Sequence, residues 1–163
     1  MIVLIASDTH RQRELIEAWK TIDADLYIHC GDSELSANDS IWDGIHVVKG
    51  NCDISSYPLE EIIEAGTTKI LVVHGHQDRV KQSLLPLSYK AEEKQADVVC
   101  FGHSHLYGAE YTEGRLFINP GSLAAPRGGR PPTYAQLLIT DEAYEVSFHT
   151  LAGECVDRVK WKK

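Results

Sequence analysis

The sequence predicts an α/β fold, and two observations predict it. First, short apolar runs recur along the chain, and each ends directly at Gly, Asp, Asn or His. The runs cover residues 2–6, 26–30, 45–49, 69–73, 98–101 and 116–118. Such runs are typical of strands buried on both faces, and ligand sites in layered α/β folds gather beyond the carboxyl ends of such strands. Second, segments with helical spacing lie between several of the runs. Six polar clusters at six strand ends therefore indicate one site.

Two helices are predicted between the strands. Segment 11–22 carries apolar residues along one helical face: Leu15, Ile16, Trp19 and Ile22. In segment 79–96, Pro86 would break a continuous helix but suits the first turn of one that begins near residues 83–86. Segment 34–42 is interpreted as a short helix or a turn.

Beyond residue 106 the pattern changes to that of antiparallel strands. They are predicted over residues 107–112, 115–118, 135–139 and 143–150. Segment 121–133 is a Gly/Pro-rich loop, and the basic tail 158–163 is expected to be a solvated end. No repeat or linker interrupts the chain, so one domain over residues 1–163 is expected.

Composition limits the function classes. The chain has 163 residues, enough to bury a core, and a net charge of -8 from 24 acidic and 16 basic residues. The acidic balance disfavours a broad nucleic-acid groove. No apolar run is long enough to span a membrane, and the N-terminus lacks the basic region of a signal peptide. The four cysteines are far apart and form no CxxC, so free thiols and a cytoplasmic location are expected.

Seven polar side chains at the strand ends form the candidate site. They are Asp8, His10, Asp32, Asn51, His74, His103 and His105. Carboxylates and imidazoles bind borderline divalent metals. An amide oxygen is a hard ligand, so it is better suited to Mn or Fe than to the zinc ion of a thiol-rich site. Seven ligands exceed what one transition metal takes alongside water, whereas two ions that share a bridging carboxylate would use all seven. Two metals about 3.5–4 Å apart are the usual apparatus of phosphate ester hydrolysis.

The motifs Asp8-x-His10, Gly31-Asp32, Gly50-Asn51, His74 and Gly102-His103-x-His105 occur in this order. Together they resemble the calcineurin-like metallophosphoesterase family. The short chain, with segments 51–53, 74–76 and 119–122, is similar to the small bacterial and archaeal YfcE-like phosphodiesterases. The resemblance implies two packed mixed β-sheets flanked by helices, in four α/β/β/α layers. It also implies hydrolysis of small or nucleotide-like phosphodiesters by a metal-activated hydroxide.

The resemblance also implies a role for each ligand. The first metal would be held by Asp8, His10 and His105, and the second by Asn51, His74 and His103. Asp32 would bridge the two ions. Manganese is the favoured ion, and Ni, Fe, Co and Zn accept the same ligands.

Cys52 departs from the family pattern. Many members have a histidine after the motif asparagine, which is taken as the general acid for the leaving group. A thiol with a pKa of about 8.5 is a poor substitute, so a preference for good leaving groups is expected. Water or His76 would then assist the leaving group, or the small Cys52 would admit a bulkier substrate. The candidate catalytic residues are therefore Asp32, Asn51 and His76.

Other polar residues receive structural interpretations. Asp53 is interpreted as a turn residue, in preference to a partner that supports a ligand. Three histidines are interpreted as structural: His29, His46 and His149. Arg127 and Arg130 lie in the Gly/Pro-rich loop, where a solvated position is favoured over a contact with substrate phosphate.

Several alternatives stay open. One is a non-catalytic protein-binding scaffold, because one eukaryotic retromer subunit has the fold implied by the resemblance and works by binding proteins. Others are a nuclease and a phosphomonoesterase, although long nucleic acid is not expected as a partner of so acidic a chain. A homo-oligomer is considered through apolar surface near residues 121–126. No membrane partner is expected.

Overall fold

Two mixed β-sheets pack face to face, with an α-helix on the outer face of each. The computed structural model describes residues 1–163. The strands are β1 Ile2–Ala6, β2 Leu26–His29, β3 Ile45–Val47, β4 Glu60–Ala65, β5 Thr68–Val73, β6 Val98–Cys100, β7 Tyr107–Thr112, β8 Arg115–Pro120, β9 Tyr134–Ile139, β10 Ala143–His149 and β11 Cys155–Lys162. The helices are α1 Arg13–Lys20 and α2 Leu85–Lys94, with a 3₁₀ turn over Ser40–Trp42. The predicted fold class is confirmed.

The first sheet joins a parallel half to an antiparallel half, and the second has a parallel centre with an antiparallel strand at each edge. The first sheet has the order β11-β10-β9-β1-β2-β3, and the second has the order β4-β5-β6-β8-β7. Strands β1, β2 and β3 are parallel, as are β5, β6 and β8. The carboxyl ends of each parallel set therefore lie at one edge of its sheet, where ligand sites of α/β folds are found.

Burial of both faces explains why the strands are continuous apolar runs in the sequence. In β1, Val3 and Ile5 belong to a cluster of 19 buried residues between the sheets. Leu4 and Ala6 face the other way, into a cluster that includes Trp19 of α1. Strands covered on both faces bury every side chain, and each large aliphatic contributes about 1.5–3 kcal/mol by leaving water.

Both helices form where the sequence predicts them, although each is shorter. Helix α1 buries Ile16 and Trp19 against the first sheet. Helix α2 has Pro86 in its first turn and ends at Gln95, whose φ of 54° is left-handed and stops the helix. Segment 34–42 contains only the 3₁₀ turn, capped by the side chain of Asp39.

Two edge strands differ from the expectations. Strand β4 was not predicted. The tail expected to be solvated instead forms β11, which pairs antiparallel with β10. Apolar and charged residues alternate along β11. Val159 and Trp161 share one face and pack against the central core, while the charged residues beside them face outward. Such alternation is typical of a half-exposed strand, so the expectation of a solvated tail is wrong.

The first residues of the loop after β8 are packed into the chain, whereas residues 127–132 are exposed. Leu123 is only 3% exposed and belongs to the cluster beneath α1. The apolar surface expected near residues 121–126 is therefore largely used within the chain. No helix of the chain is both long enough and apolar enough to cross a membrane.

Candidate metal centre

The seven candidate residues meet where the two parallel sets of strands end. Asp8 and His10 follow β1, Asp32 follows β2 and Asn51 follows β3. His74 follows β5, and His103 and His105 follow β6. Four of the seven side chains thus come from the first sheet and three from the second.

Three imidazoles are held at Nδ1, which turns Nε2 toward the cluster. His74 Nδ1 lies 2.7 Å from the carbonyl oxygen of Cys30, and His105 Nδ1 lies 2.6 Å from that of Ala125. His10 Nδ1 lies 2.9 Å from Glu34 Oε1. Because a carbonyl or carboxylate oxygen only accepts, each Nδ1 donates its proton. Metal-binding histidines are usually oriented by a hydrogen bond of this kind at the other nitrogen.

Asp8 lies at the centre of the imidazoles. Its Oδ2 accepts hydrogen bonds from Ser7 Oγ at 2.6 Å and from the His103 backbone N–H at 3.2 Å. Its Oδ1 is buried and has no well-aligned hydrogen bond, although three Nε2 atoms approach it. Those of His105, His10 and His74 lie at 3.0, 3.9 and 4.0 Å. A buried carboxylate oxygen without a partner is costly unless a cation reaches it.

The facing nitrogens fit a cation in the same way. His10 Nε2 and His105 Nε2 are 3.4 Å apart, and since both rings donate from Nδ1, both Nε2 atoms present lone pairs when neutral. Asn51 Oδ1 similarly lies 3.2 Å from His74 Nε2. Facing acceptors repel unless a proton or a metal lies between them. The donor set therefore fits divalent cations. Within the seven, two groups of side chains bring ligand atoms within 4.8 Å of one another: Asp8, His10 and His105, and Asp8, Asp32 and His74. A third group with this spacing combines His10 with Glu34 and Cys52.

The carboxylates and imidazoles of the cluster shift one another's pKa values. Burial alone would raise the pKa of Asp32, but hydrogen bonding and the charge of His74 outweigh it, so the pKa is lowered. Burial likewise opposes the rise in the pKa of His74, but Asp32 and Asp8 raise it. His103 differs, because burial and the nearby positive charges of His74 and Lys81 lower its pKa to about 4. Metal binding at such ligands displaces protons.

Close backbone approach explains two glycines of the motifs. A Cβ on Gly50 would overlap the Asp32 carboxylate, and a Cβ on Gly102 would overlap the side chain of Ser7. Both glycines therefore let a loop pass directly over an acidic or hydroxyl group at the centre.

The backbone is left-handed at most of the candidate ligands. The φ angles are 54° at Asp8, 42° at His10, 55° at Asp32, 68° at His103 and 60° at His105. Non-glycine residues in this region cost of order 1–3 kcal/mol each and concentrate at functional sites. Five such residues in one cluster favour a functional centre over five ordinary turns.

Asp53 joins two of the loops that carry ligands. Its carboxylate accepts from the backbone N–H groups of Asp32, Glu34 and Gly50 at 2.6–2.9 Å, and from Ser33 Oγ at 3.2 Å. The interpretation of Asp53 as a turn residue missed this role. The sequence offered one indication of this role, the position of Asp53 in the polar run 50–53. That indication was ambiguous, because an aspartate carboxylate accepts backbone N–H groups both in a local turn and across loops.

Family comparison agrees with this geometry. Residues 1–142 match the model of the calcineurin-like phosphoesterase superfamily domain. The chain belongs to this superfamily. It is 45% identical over 161 residues to a probable metallophosphoesterase, YsnB, of Bacillus subtilis, which covers 96% of this chain and 95% of that protein. The predicted resemblance is confirmed, and family membership supports a hydrolase.

Several solved structures share the fold. A conserved uncharacterized protein of Streptococcus pneumoniae, described as a predicted phosphoesterase, is 33% identical with a TM-score of 0.96, over 99% of this chain and 97% of that one. A Vps29 variant of Entamoeba histolytica is 26% identical with a TM-score of 0.78, over 99% of both chains. The phosphoesterase family generally binds divalent metals, consistent with the candidate Asp and His ligands.

Cys52, which follows Asn51, is exposed and accepts a hydrogen bond from Asn51 Nδ2 at 3.3 Å. Burial and the nearby Asp32 carboxylate raise the pKa of the thiol to about 11. A thiol of that pKa donates a proton less readily than a free cysteine.

His76 lies beside the candidate metal centre rather than within it. Its ring centroid is 5.4 Å from that of His74 and 6.2 Å from that of His103. Its Nδ1 is buried without a hydrogen-bond partner, and burial together with the charge of His74 lowers its pKa. His29 is buried away from the cluster, where Nε2 lies 3.0 Å from Thr9 Oγ1.

Two further residues support the centre. Ser122 Oγ donates to the Asp8 carbonyl oxygen at 2.7 Å. Asn119 Nδ2 donates to the Gly102 carbonyl oxygen and to Ser104 Oγ, both at 2.9 Å. Both lie in segment 119–122, one of the segments that carry the resemblance, but only the fold identifies the backbone groups that they bind.

Proposed function

We propose that the chain hydrolyses small or nucleotide-like phosphodiesters with the help of two divalent cations, of which manganese is the first candidate. Asp8, His10 and His105 would hold one ion, and Asn51, His74 and His103 would hold the other. Asp32 would bridge them. One observation carries the proposal: the buried, unpartnered Oδ1 of Asp8 faces three imidazole nitrogens whose rings are fixed by acceptors at Nδ1.

Two divalent ions at this site would supply positive charge for the phosphate group and lower the pKa of a water molecule that serves as the nucleophile. The residues of the chain orient these groups. Asn51 presents an amide oxygen from an exposed loop, and Asp53 fixes that loop to the one that carries Asp32. His76 is proposed to give a proton to the leaving oxygen, since its ring borders those of His74 and His103.

The preference for diesters with good leaving groups follows from Cys52. Because its thiol has a pKa of about 11, it does not supply the proton that a histidine would supply there. The proton would come from His76 or from water instead, so diesters with good leaving groups are expected to be hydrolysed faster than those with poor ones. A nuclease is a weaker alternative for this acidic chain of net charge -8. A phosphomonoesterase is weaker because Cys52 stands where a histidine is expected.

The test is restoration of activity by metal. Protein stripped with chelator is supplied singly with Mn, Ni, Zn, Co or Mg and assayed on bis(p-nitrophenyl) phosphate and on p-nitrophenyl phosphate. We expect hydrolysis of the diester with at least one ion, and a loss of at least about 1,000-fold in Asp32→Asn, because that variant lacks the bridging charge. Asp141→Asn makes the same chemical change at an exposed turn and should keep full activity. Full activity of Asp32→Asn would contradict the two-metal proposal.

A protein-binding scaffold is the second candidate. The likeness to Vps29 favours it. Against it, each of the seven positions keeps a side chain that binds metals. Stoichiometric metal binding without turnover on either ester would favour the scaffold.

The remaining parts of the proposal concern organisation. One domain over residues 1–163 is supported by the pairing of β9 with β1, which joins the two ends of the chain in one sheet. A cytoplasmic location is supported by four cysteines that form no disulfide. Homo-oligomer formation is an open part of the proposal, to be tested by light scattering across concentrations.

A further inference from the structure

A cleft of about 460 Å³ lies behind the loop that carries His103 and His105. It is bounded by the segment that precedes α2 on one side and by β7 and β8 on the other. None of the seven candidate ligands lines it, but Ser104, which stands between the two histidines, does. The cleft is therefore a separate space that shares one wall with the metal centre. Its volume is within the range of small-molecule sites.

The walls of the cleft are mainly apolar. Val80 and Leu84 line one side, and Phe101 and Phe117 lie at its base. The two phenylalanines are 7% and 2% exposed, so they are set firmly into the core beneath α2. An occupant of this space needs an apolar or planar body.

Two cations stand at the cleft without ion-pair partners. Lys81 and Arg127 line it, and neither has a carboxylate within 4.0 Å. Glu110 is the one acidic residue of the lining. Unpaired Lys and Arg beside an apolar wall complement a ligand that carries a phosphate.

Arg127 and Lys81 lie next to the loop that carries His103 and His105. The backbone N–H of Arg127 donates to the His105 carbonyl oxygen at 3.1 Å. Ser104, which lies between His103 and His105, lines the same cleft as Lys81 and Arg127. A phosphate held by Lys81 and Arg127 would therefore lie close to an ester bound at the metal centre.

We propose that this cleft binds a nucleotide part of the substrate, with the base on the apolar wall and a terminal phosphate on Lys81 and Arg127. The substrate class is then a phosphodiester that carries a second, terminal phosphate. This inference rests on the proposed function for the position of the ester, but nucleotide binding by the cleft stands apart from catalysis.

Binding is tested without metal. Adenosine 5′-monophosphate and adenosine are titrated calorimetrically into the full chain in EDTA at constant ionic strength, so that phosphate binding by metal ions is excluded. We expect the nucleotide to bind, adenosine to bind at least about fivefold more weakly, and Lys81→Gln/Arg127→Gln to weaken nucleotide binding about tenfold. Lys160→Gln/Lys162→Gln removes the same charge from β11, at the far edge of the other sheet, and should bind as the wild type does.

A variant that fills the cleft tests nucleotide binding without changing a charge. Gly108 lies in the wall of the cleft, and a Cβ added there meets no atom within 4 Å. Gly108→Phe should keep the thermal unfolding midpoint of the wild type and abolish nucleotide binding. No binding at millimolar nucleotide, or equal weakening by both double variants, would overturn the proposal.

The contribution of the terminal phosphate to substrate binding is measured by KM. With metal restored, 5′-phosphorylated diadenylate should have a KM about tenfold lower than diadenylate without the terminal phosphate, and Lys81→Gln/Arg127→Gln should remove that difference. Equal KM values in the wild type would overturn the substrate assignment. Failure of every diester, bis(p-nitrophenyl) phosphate included, would instead contradict the proposed function, while the metal-free titration would still decide whether the cleft binds nucleotide.

Discussion

His29 and His74 are both buried, yet their surroundings give them opposite proton affinities. His74 faces two carboxylates, which raise its pKa. His29 has neutral partners instead: Nε2 lies near Thr9 Oγ1, and Nδ1 accepts from the Gly31 N–H at 3.2 Å. Complete burial lowers the pKa of His29 to about 4. At the scale of the residue, the neighbours decide whether a buried histidine is suited to a metal or to the core.

This pKa makes stability depend on pH. Above pH 6.5 neither the folded nor the unfolded chain protonates His29. As the pH falls from 6.5 toward 4, the unfolded chain gains a proton that the folded chain does not, so this contribution to stability is lost. We expect His29 to account for about 2 kcal/mol of the fall in the unfolding free energy between pH 7 and pH 4.5. Urea unfolding of metal-free protein measures it.

His29→Gln is the matched variant, because an amide offers one donor and one acceptor to the same partners. Its unfolding free energy should fall less steeply over this range by the amount assigned to His29. Identical pH slopes for the variant and the wild type would show that another group is responsible.

The loops after β2 and β3 behave as one element because Asp53 connects them. Its carboxylate is 5% exposed and accepts from four donors, three of them backbone N–H groups in those loops. Asp32 and Asn51 therefore keep their relative position through a residue that lies beside the candidate ligands. Outer partners of this kind are expected to matter for metal affinity nearly as much as the ligands do.

Asp53→Asn tests the connection between these loops. The amide replaces one acceptor oxygen by a donor that faces N–H groups, so we expect the unfolding free energy to fall by about 2–3 kcal/mol. Metal affinity should fall about 10–100-fold. Chemical unfolding and a metal titration measure the two effects. Asp43→Asn changes an exposed carboxylate nearby and should alter neither; unchanged metal affinity in Asp53→Asn would show that the loops are positioned without this carboxylate.

The sequence predicted the buried strands better than the edge strands. Residues 2–6 and 69–73 are apolar on both faces, and such runs have few alternatives to a buried strand. Strand β4, with the sequence EEIIEA, mixes acidic and apolar residues, and β11 combines charges with Val159 and Trp161. These edge strands form because the neighbouring strand supplies hydrogen bonds and one covered face, which a single-sequence pattern does not reveal.

The seven candidate ligands were predictable from the same strand pattern. Each follows a strand, so the fold class alone brings them to a common edge. Their orientation depends on distant groups, such as the Cys30 carbonyl oxygen for His74 and the Ala125 carbonyl oxygen for His105. The cleft with Lys81 and Arg127 was missed, because these residues are 46 positions apart in the sequence and meet only in the fold.

The whole molecule has its candidate ligands divided between two sheets. Ions bound at this edge would link the sheets as well as hold substrate. We expect Mn at about 1,000 times its dissociation constant to stabilise the wild type by about 4 kcal/mol, which corresponds to a rise on the order of 10 °C in the thermal unfolding midpoint. Calorimetry with and without chelator measures this shift.

Two variants locate the effect. Asp32→Asn should lose most of the rise, whereas Asp141→Asn should keep it. Slower hydrogen exchange with metal is expected in β2 and in β5 alike, because the ligands follow strands of both sheets. Protection confined to one sheet would show that the ions do not join the two.

The division of the ligands between the sheets has a physiological consequence. A chain that depends on the ion for part of its folding free energy is more often open when the ion is scarce, and open chains are removed by cellular proteases. Scarcity of the metal would then reduce the amount of the protein as well as the activity of each molecule. The cellular supply of the ion would thereby set the abundance of the protein.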